Sequence, residues 1–258
     1  MIRPARDRRL LKRRIDAYLW HDRSMPVVRL RTILKEQFGS FERTAIIGGL
    51  VRDFARSGRS GFRSDVDLVV QAPRGEVQKL AERVGAVPNR FGGYAYYHPH
   101  WKVDFWALET TWAVVHGHAK ASRLEDLVAC TFFDCDAILY DIGTRQILAS
   151  ETYFDRLARN QIDINLRANP SVDGNLLRAI RRVFAWGAEP GPHLRAFIVD
   201  NLDDEAFQRI SDTESNLYPI SVTAQFNNAQ ALTSCLLDRA RRSLLNTDVA
   251  DQLDLPGL

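Results

Sequence analysis

The segment that most constrains this chain runs from Thr44 to Val70, TAIIGGLVRDFARSGRSGFRSDVDLVV. Ala45-Ile46-Ile47 is short and apolar throughout, the pattern of a buried strand. Gly48-Gly49 follows, where a backbone without Cβ atoms can approach a ligand closely. Leu50 to Ser57 reads as a helix of about two turns that Gly58 stops, and the N–H groups at its start would face an anion. A second strand then carries Asp65-Val66-Asp67. Side chains alternate along a strand, so Asp65 and Asp67 project together while Val66, Leu68 and Val70 turn to the core. Two carboxylates on one face repel each other unless a cation sits between them, and hard oxygen donors of this kind suit Mg²⁺. Alone, a DxD on a strand is usually a solvated edge, and a Gly-Gly turn carries less information still. At this spacing, with Arg52-Asp53 between them, the two describe a phosphate cradle beside a metal-binding carboxylate pair.

A third carboxylate strengthens the pattern. Arg90 to Tyr97 reads as a strand, His98-Pro99-His100 as a turn, and Trp101 to Leu108 as the returning strand of a hairpin. On the returning strand Lys102, Asp104 and Trp106 share a face. Taken alone, Asp104 is the exposed member of an alternating strand. If the hairpin lies beside the Asp65/Asp67 strand, Asp104 completes a three-carboxylate cluster able to hold two Mg²⁺ ions. Such a cluster would lower the pKa of an attacking hydroxyl and neutralise charge on a leaving pyrophosphate.

Gly48-Gly49-Leu50-Val51-Arg52-Asp53 followed by Asp65-Val66-Asp67-Leu68-Val69 resembles the head-domain signature of bacterial poly(A) polymerases and CCA-adding tRNA nucleotidyltransferases, within the polymerase-β-like nucleotidyltransferase superfamily. Phe91-Gly92-Gly93 with Val103-Asp104-Phe105 resembles the next hairpin of that family. Leu124-Glu125-Asp126-Leu127 and Thr131 to Tyr140 resemble the segment that ends the head, and Asn175 to Arg182 the opening of the helical neck. The likeness covers roughly residues 42–190. It implies an α/β (α+β) head with a mixed sheet, followed by a small all-helical neck. It also implies a Mg²⁺-dependent nucleotidyltransferase that moves NMP from an NTP, ATP or CTP, to the 3′ end of tRNA or another RNA. In this picture Asp65, Asp67 and Asp104 are the catalytic metal ligands, Gly48, Gly49 and Arg52 hold the triphosphate, and Asp53 orders the turn or Arg52.

The chain also departs from that pattern. Where the family carries an Arg-Arg-Asp run that recognises ribose, Cys130, Thr131 and Phe132 stand here. The base-reading Glu-Asp-x-x-Arg motif is replaced by Ser171-Val172-Asp173-Gly174-Asn175, and an arginine at the end of the third-carboxylate strand by Leu108. The departures fall on sugar and base selection and leave the metal chemistry intact. Two other classes therefore stay open: nucleotidylation of a protein or small-molecule hydroxyl, and a nucleotide-binding regulatory module with weakened catalysis.

At 258 residues and 45% hydrophobic, the chain can bury two structural units. The expected division is a basic helical arm over 1–40, a nucleotidyltransferase head over 41–150 and a helical neck over 151–258. No apolar run reaches the ~20 residues of a membrane helix, no secretory signal follows the charged start, and three cysteines outside any zinc pattern point to reduced thiols. A cytoplasmic protein is expected. The pairs His98/His100 and His116/His118 lack further ligands and read as loop or strand-end histidines. Lys120 and Arg123 lie in a loop where phosphate contact is conceivable.

The net charge of +3 is unevenly placed: Arg3 to Lys35 holds eleven Lys/Arg against three Asp. Leu10, Leu11, Ile15, Tyr18 and Leu19 recur at helical spacing beneath those charges, with a second helix expected around Val27 to Phe38. This basic arm could grip RNA phosphates, dock on the head by its apolar stripe, or meet an acidic protein partner. Beyond Asp155 the pattern is helical: an apolar stripe at Leu176, Leu177, Ile180, Val183 and Phe184, then candidates over Glu205–Asp212 and Ala224–Leu245. The neck arginines suit either RNA or triphosphate contact, or ordinary surface ion pairs.

Overall fold

The computed structural model describes residues 3–62 and 65–242. Two compact units make up the chain, Met1–Ala158 and Arg159–Leu258. The first opens with α1 (Arg8–Asp16), continues through a π-turn at Ala17–His21, and adds α2 (Met25–Phe38). β1 (Thr44–Ile47), α3 (Gly49–Ser57) and β2 (Val66–Val70) follow, then α4 (Arg74–Val84), β3 (Val87–Pro88), β4 (Tyr94–His98) and β5 (Trp101–Ala107). α5 (Trp112–Val115) and a 3₁₀ segment at Leu124–Ala129 lead to β6 (Ile138–Asp141), β7 (Ile147–Ala149) and α6 (Tyr153–Ala158).

These strands form one seven-stranded mixed sheet in the order β3-β4-β5-β2-β1-β6-β7. β2 and β5 run parallel, and the other pairs are antiparallel. The expected α/β head with a mixed sheet is present. The first hairpin strand is shorter than the expected Arg90–Tyr97: Asn89 Oδ1 accepts from the N–H groups of Phe91 and Gly93 at 3.0 Å each, which ties that stretch into a turn. Gly93 passes so close to β5 that a Cβ there would lie 2.9 Å from the Phe105 carbonyl oxygen.

The sheet has two differently covered faces. Ile46, Val66, Leu68, Val70, Val103, Phe105 and Tyr140 face the main core, shared with Leu11, Ile15 and Leu19 of the N-terminal segment and with α2, α3 and α4. Ala45, Ile47, Val69 and Leu139 face the other way and pack under Leu124 and Leu127. Arg43 clamps this cover, reaching Glu125 at 2.9 Å and Asp141 at 2.8 Å.

The N-terminal helices are therefore built into the head. Beyond the apolar stripe, Trp20 Nε1 donates to the Tyr140 hydroxyl at 2.7 Å, which donates to Asp16 at 2.6 Å. Several arginines of the basic stretch are staples: Arg8 donates to the Ala149 carbonyl at 2.7 Å, and Arg14 to those of Arg3 and Phe54 at 2.6 and 3.1 Å. Arg9 and Arg13 stay exposed.

The second unit carries α7 (Val172–Trp186), α8 (Pro192–Asn201), α9 (Asp204–Leu217), α10 (Ala229–Leu237) and α11 (Arg239–Arg242). Among its described residues one strand pairing joins β8 (Gln161–Ile162) to β9 (Glu189–Pro190). Leu176, Ile180, Val183, Leu194, Ile198, Ile210, Leu232 and Leu236 are buried in this unit. The helix expected over Ala224–Leu245 is broken up. A 3₁₀ turn spans Thr223–Gln225, the Asn228 side chain starts α10 by accepting from Ala231 N–H at 2.8 Å, and Asp238 ends it. Residues 243–245 of that expected helix lie outside the described residues.

Candidate active site

The register of the parallel pair places Asp67 directly beside Asp104, one row after Val66 beside Val103. Across the other edge of β2, Ile47 is the partner of Asp67. One row of the sheet thus runs Asp104, Asp67, Ile47, and the chain leaves Ile47 straight into the Gly48-Gly49 turn and α3. Side chains in register share a face, so both carboxylates lie on the face opposite the main core. Asp65, just before β2, and Lys102, just before Val103, belong to the preceding row on that same face. The Lys102 ammonium sits 3.1 Å from Asp65 Oδ2 and 2.7 Å from Asp104 Oδ2. These side chains keep a solvent window, with 17%, 13% and 20% exposure for Asp65, Asp104 and Lys102. The fold brings all three predicted carboxylates together.

Electrostatics mark Asp67 out. Burial, followed by the neighbouring Asp104 and Asp65 charges, pushes its pKa up to about 7 against the partial relief of Lys102 and Arg52. Burial likewise raises Asp65, opposed by its hydrogen bond to Lys102. For Lys102 burial would lower the pKa, but hydrogen bonds to Asp104 and Asp65 leave it raised.

The turn before α3 is shaped for close approach. Gly48 has φ +66 and ψ −118, a region open essentially to glycine alone. Its N–H donates to the Ile138 carbonyl at 3.1 Å, while its own carbonyl accepts the first α3 bond from Arg52 N–H at 2.8 Å. A Cβ at this position would touch nothing within 4 Å. Gly48→Ala is therefore expected to lose about 1–3 kcal/mol through backbone strain alone. Urea unfolding checks this, and an unchanged midpoint would mean that the turn relaxes freely.

Arg52 is buried at the base of this turn. It pairs with Asp53 at 2.9 Å and with Asp136 at 2.8 Å. Asp53 is thus paired with Arg52, the residue that one of its two expected roles concerns. The partner Asp136, 84 positions away, was not singled out in the sequence; nothing local to either residue links them.

The remaining candidates lie elsewhere or in structural roles. His116 and His118 stack on Trp112 at 4.8 and 5.2 Å, and His98 and His100 stand 6.4 Å apart. Arg123 pairs with Asp126 at 3.3 Å, and Lys120 is exposed. Leu108 is buried in the cluster that covers the second sheet face. In the second unit Ser171 caps α7 by accepting from Gly174 N–H at 3.1 Å, and Asp173 pairs with Arg209 at 2.8 Å.

Carboxylate oxygens on one sheet face are donors of the type a hard divalent cation takes. As the side chains stand, no three His, Cys, Asp or Glu among the described residues surround a common metal position. The Lys102 ammonium fills the space between Asp65 and Asp104, so a cation of some kind is already part of the cluster. The donor chemistry fits Mg²⁺. Among the described residues no helix is long and apolar enough to cross a membrane.

No protein-family model matches the sequence, and no curated protein matches it. Solved structures do. The Thermotoga maritima CCA-adding enzyme complexed with tRNA superposes with a TM-score of 0.53 at 14% identity, covering 86% of this chain and 52% of that one. A CCA-adding enzyme complexed with CTP gives 0.54 at 14% identity, covering 92% and 54%. An apo CCA-adding enzyme gives 0.51 at 16%, covering 76% and 49%. The chain spans about half the length of the structures it matches. At these identities the likeness establishes the fold alone: the chain has the fold of the matched part of CCA-adding enzymes, a mixed-sheet α/β unit followed in sequence by a helical one.

Proposed function

We propose that this protein is a nucleotidyltransferase that moves a nucleoside monophosphate from a triphosphate to an acceptor hydroxyl, with the 3′ end of tRNA or another RNA as the acceptor. The observation that carries the proposal is the single row Asp104–Asp67–Ile47 leading into the Gly48-Gly49 turn. It puts like-charged carboxylates beside a helix start, where a triphosphate and its counter-cation would be held together. Asp65, Asp67 and Asp104 would hold Mg²⁺, which when bound supplies positive charge to the phosphates and acidifies the attacking hydroxyl. Gly48, whose own N–H is spent on the Ile138 carbonyl, would let the phosphates approach the backbone closely, and the Gly49 N–H at the start of α3 would bind a phosphate oxygen. Arg52 acts from below: its charge opposes the rise in the pKa of Asp67, and Asp53 and Asp136 fix its position. Asp53 and Arg52 are thus positioning residues, and ATP or CTP is the expected donor.

The RNA acceptor draws support from the shared fold, since the neighbours include a tRNA complex and a CTP complex, and from the exposed Arg9 and Arg13 of the head. Incubation of the purified protein with Mg²⁺ and each labelled triphosphate in turn is expected to label tRNA or total RNA. The double variant Asp65→Ala/Asp67→Ala should give none. Label on protein or on a small acceptor would overturn the RNA reading, and triphosphate binding without any transfer would identify a regulatory module.

A further inference from the structure

Four side chains on the open sheet face sit at the corners of one rectangle. Asp65 and Asp67 come from the β2 segment, and Lys102 and Asp104 from β5. Cross-strand neighbours in such a frame lie about 5 Å apart at Cβ, and like charges directly opposite repel. The Asp67–Asp104 row is such a repulsive pair. In the other row Lys102 bonds Asp65 across the strands and reaches along its own strand to Asp104. With Asp67 ionised, three carboxylates against one ammonium leave two negative charges, which one divalent cation balances.

We propose that Lys102 is the protein's own cation for one of the two positions in this cluster. The free protein then takes a single divalent ion, at the Asp67–Asp104 row, instead of two. The inference rests on the metal-binding role of the three aspartates proposed above. It follows from geometry: an ammonium held by two carboxylates at 2.7 and 3.1 Å occupies the bridging position between them. A second divalent ion would have to displace it against both hydrogen bonds. The lysine stem spans two strands without leaving the sheet face, so its charge is delivered permanently, independent of the free metal concentration.

Metal counting tests this without any turnover. The full-length protein, stripped of metal, is titrated with Mn²⁺ in the absence of nucleotide, and free Mn²⁺ is followed by electron paramagnetic resonance. Wild type is expected to bind one ion per chain, Lys102→Met two, and Lys102→Arg, which keeps the charge, one. Asp67→Asn should lose the single site. Two ions bound to wild type, or one ion with unchanged Kd in Lys102→Met, overturns the inference while leaving the metal reading intact. No ion bound to wild type overturns both. If Lys102→Met does not fold by circular dichroism, Lys102→Gln is used in its place and carries the same expectation.

Discussion

Asp67→Asn is expected to abolish nucleotidyl transfer and, in the metal-free protein, to raise stability at neutral pH. The loss of activity follows from removing the central ligand of the carboxylate cluster. Charge stabilisation worth several kcal/mol corresponds to a fall of about 10³-fold or more. The gain in stability follows from the raised pKa of about 7. A carboxyl whose folded pKa lies above its ordinary value keeps a proton that the unfolded chain has already released. Its penalty is absent below the ordinary carboxylate range, grows as pH climbs from about 4, and is complete above about 7. Asparagine never ionises, so the variant should exceed wild type by up to about 4 kcal/mol at pH 7.5, with the difference shrinking towards pH 4.5. Urea unfolding in EDTA at the two pH values checks it. A variant less stable than wild type at pH 7.5, or one retaining a tenth of the activity, would contradict the assignment of Asp67.

Glu214→Ala is expected to destabilise the second unit by about 3–5 kcal/mol, because it strands a buried guanidinium. Glu214 is fully buried and Arg181 only 3% exposed, and the two are hydrogen-bonded. The other carboxylate oxygen accepts from Thr223 N–H and Oγ1, both at 2.8 Å, and from Ser221 at 2.9 Å. Arg181 also donates to the Ile220 carbonyl at 3.1 Å and lies over the Tyr218 ring at 3.6 Å. Burial would raise the pKa of Glu214, but the Thr223 N–H and Arg181 outweigh it and hold the pKa below the ordinary value. Its contribution is therefore present above the usual glutamate range and is lost as pH falls through the lowered folded pKa. Hydrogen exchange across α7 and α9, with Trp186 fluorescence as a second probe, reads the loss within this unit. A change below about 1 kcal/mol would show that water replaces the carboxylate.

The candidate site was largely legible because its parts are local. Strand alternation over Asp65 to Val70 places both aspartates on one face, and the Gly48-Gly49 turn and the β4–β5 hairpin follow from turn chemistry. The N-terminal segment was legible as two helices but not as part of the head. An apolar stripe under arginines looks the same whether it meets RNA, a partner or the chain's own core, and the burial of Leu11, Ile15 and Leu19 answers that question. The neck arginines mislead for a related reason. Arg181 reads as a surface or RNA-contacting charge until its partner, 33 residues on, is folded against it. β6 and β7 are too short, at four and three residues, for periodicity to distinguish them from loops.

The sequence by itself determined the strand–turn–helix–strand unit, the shared face of Asp65 and Asp67, and the glycine at a backbone geometry that other residues resist. All of these are set within a few residues by sterics and alternation. Only the tertiary structure decided what stands beside them: Asp104 in register with Asp67, Lys102 between two carboxylates, and Arg52 neutralised by Asp136. Those juxtapositions depend on which strands pair and in what register. That choice is made by burying both faces of the sheet together, and no local pattern carries it.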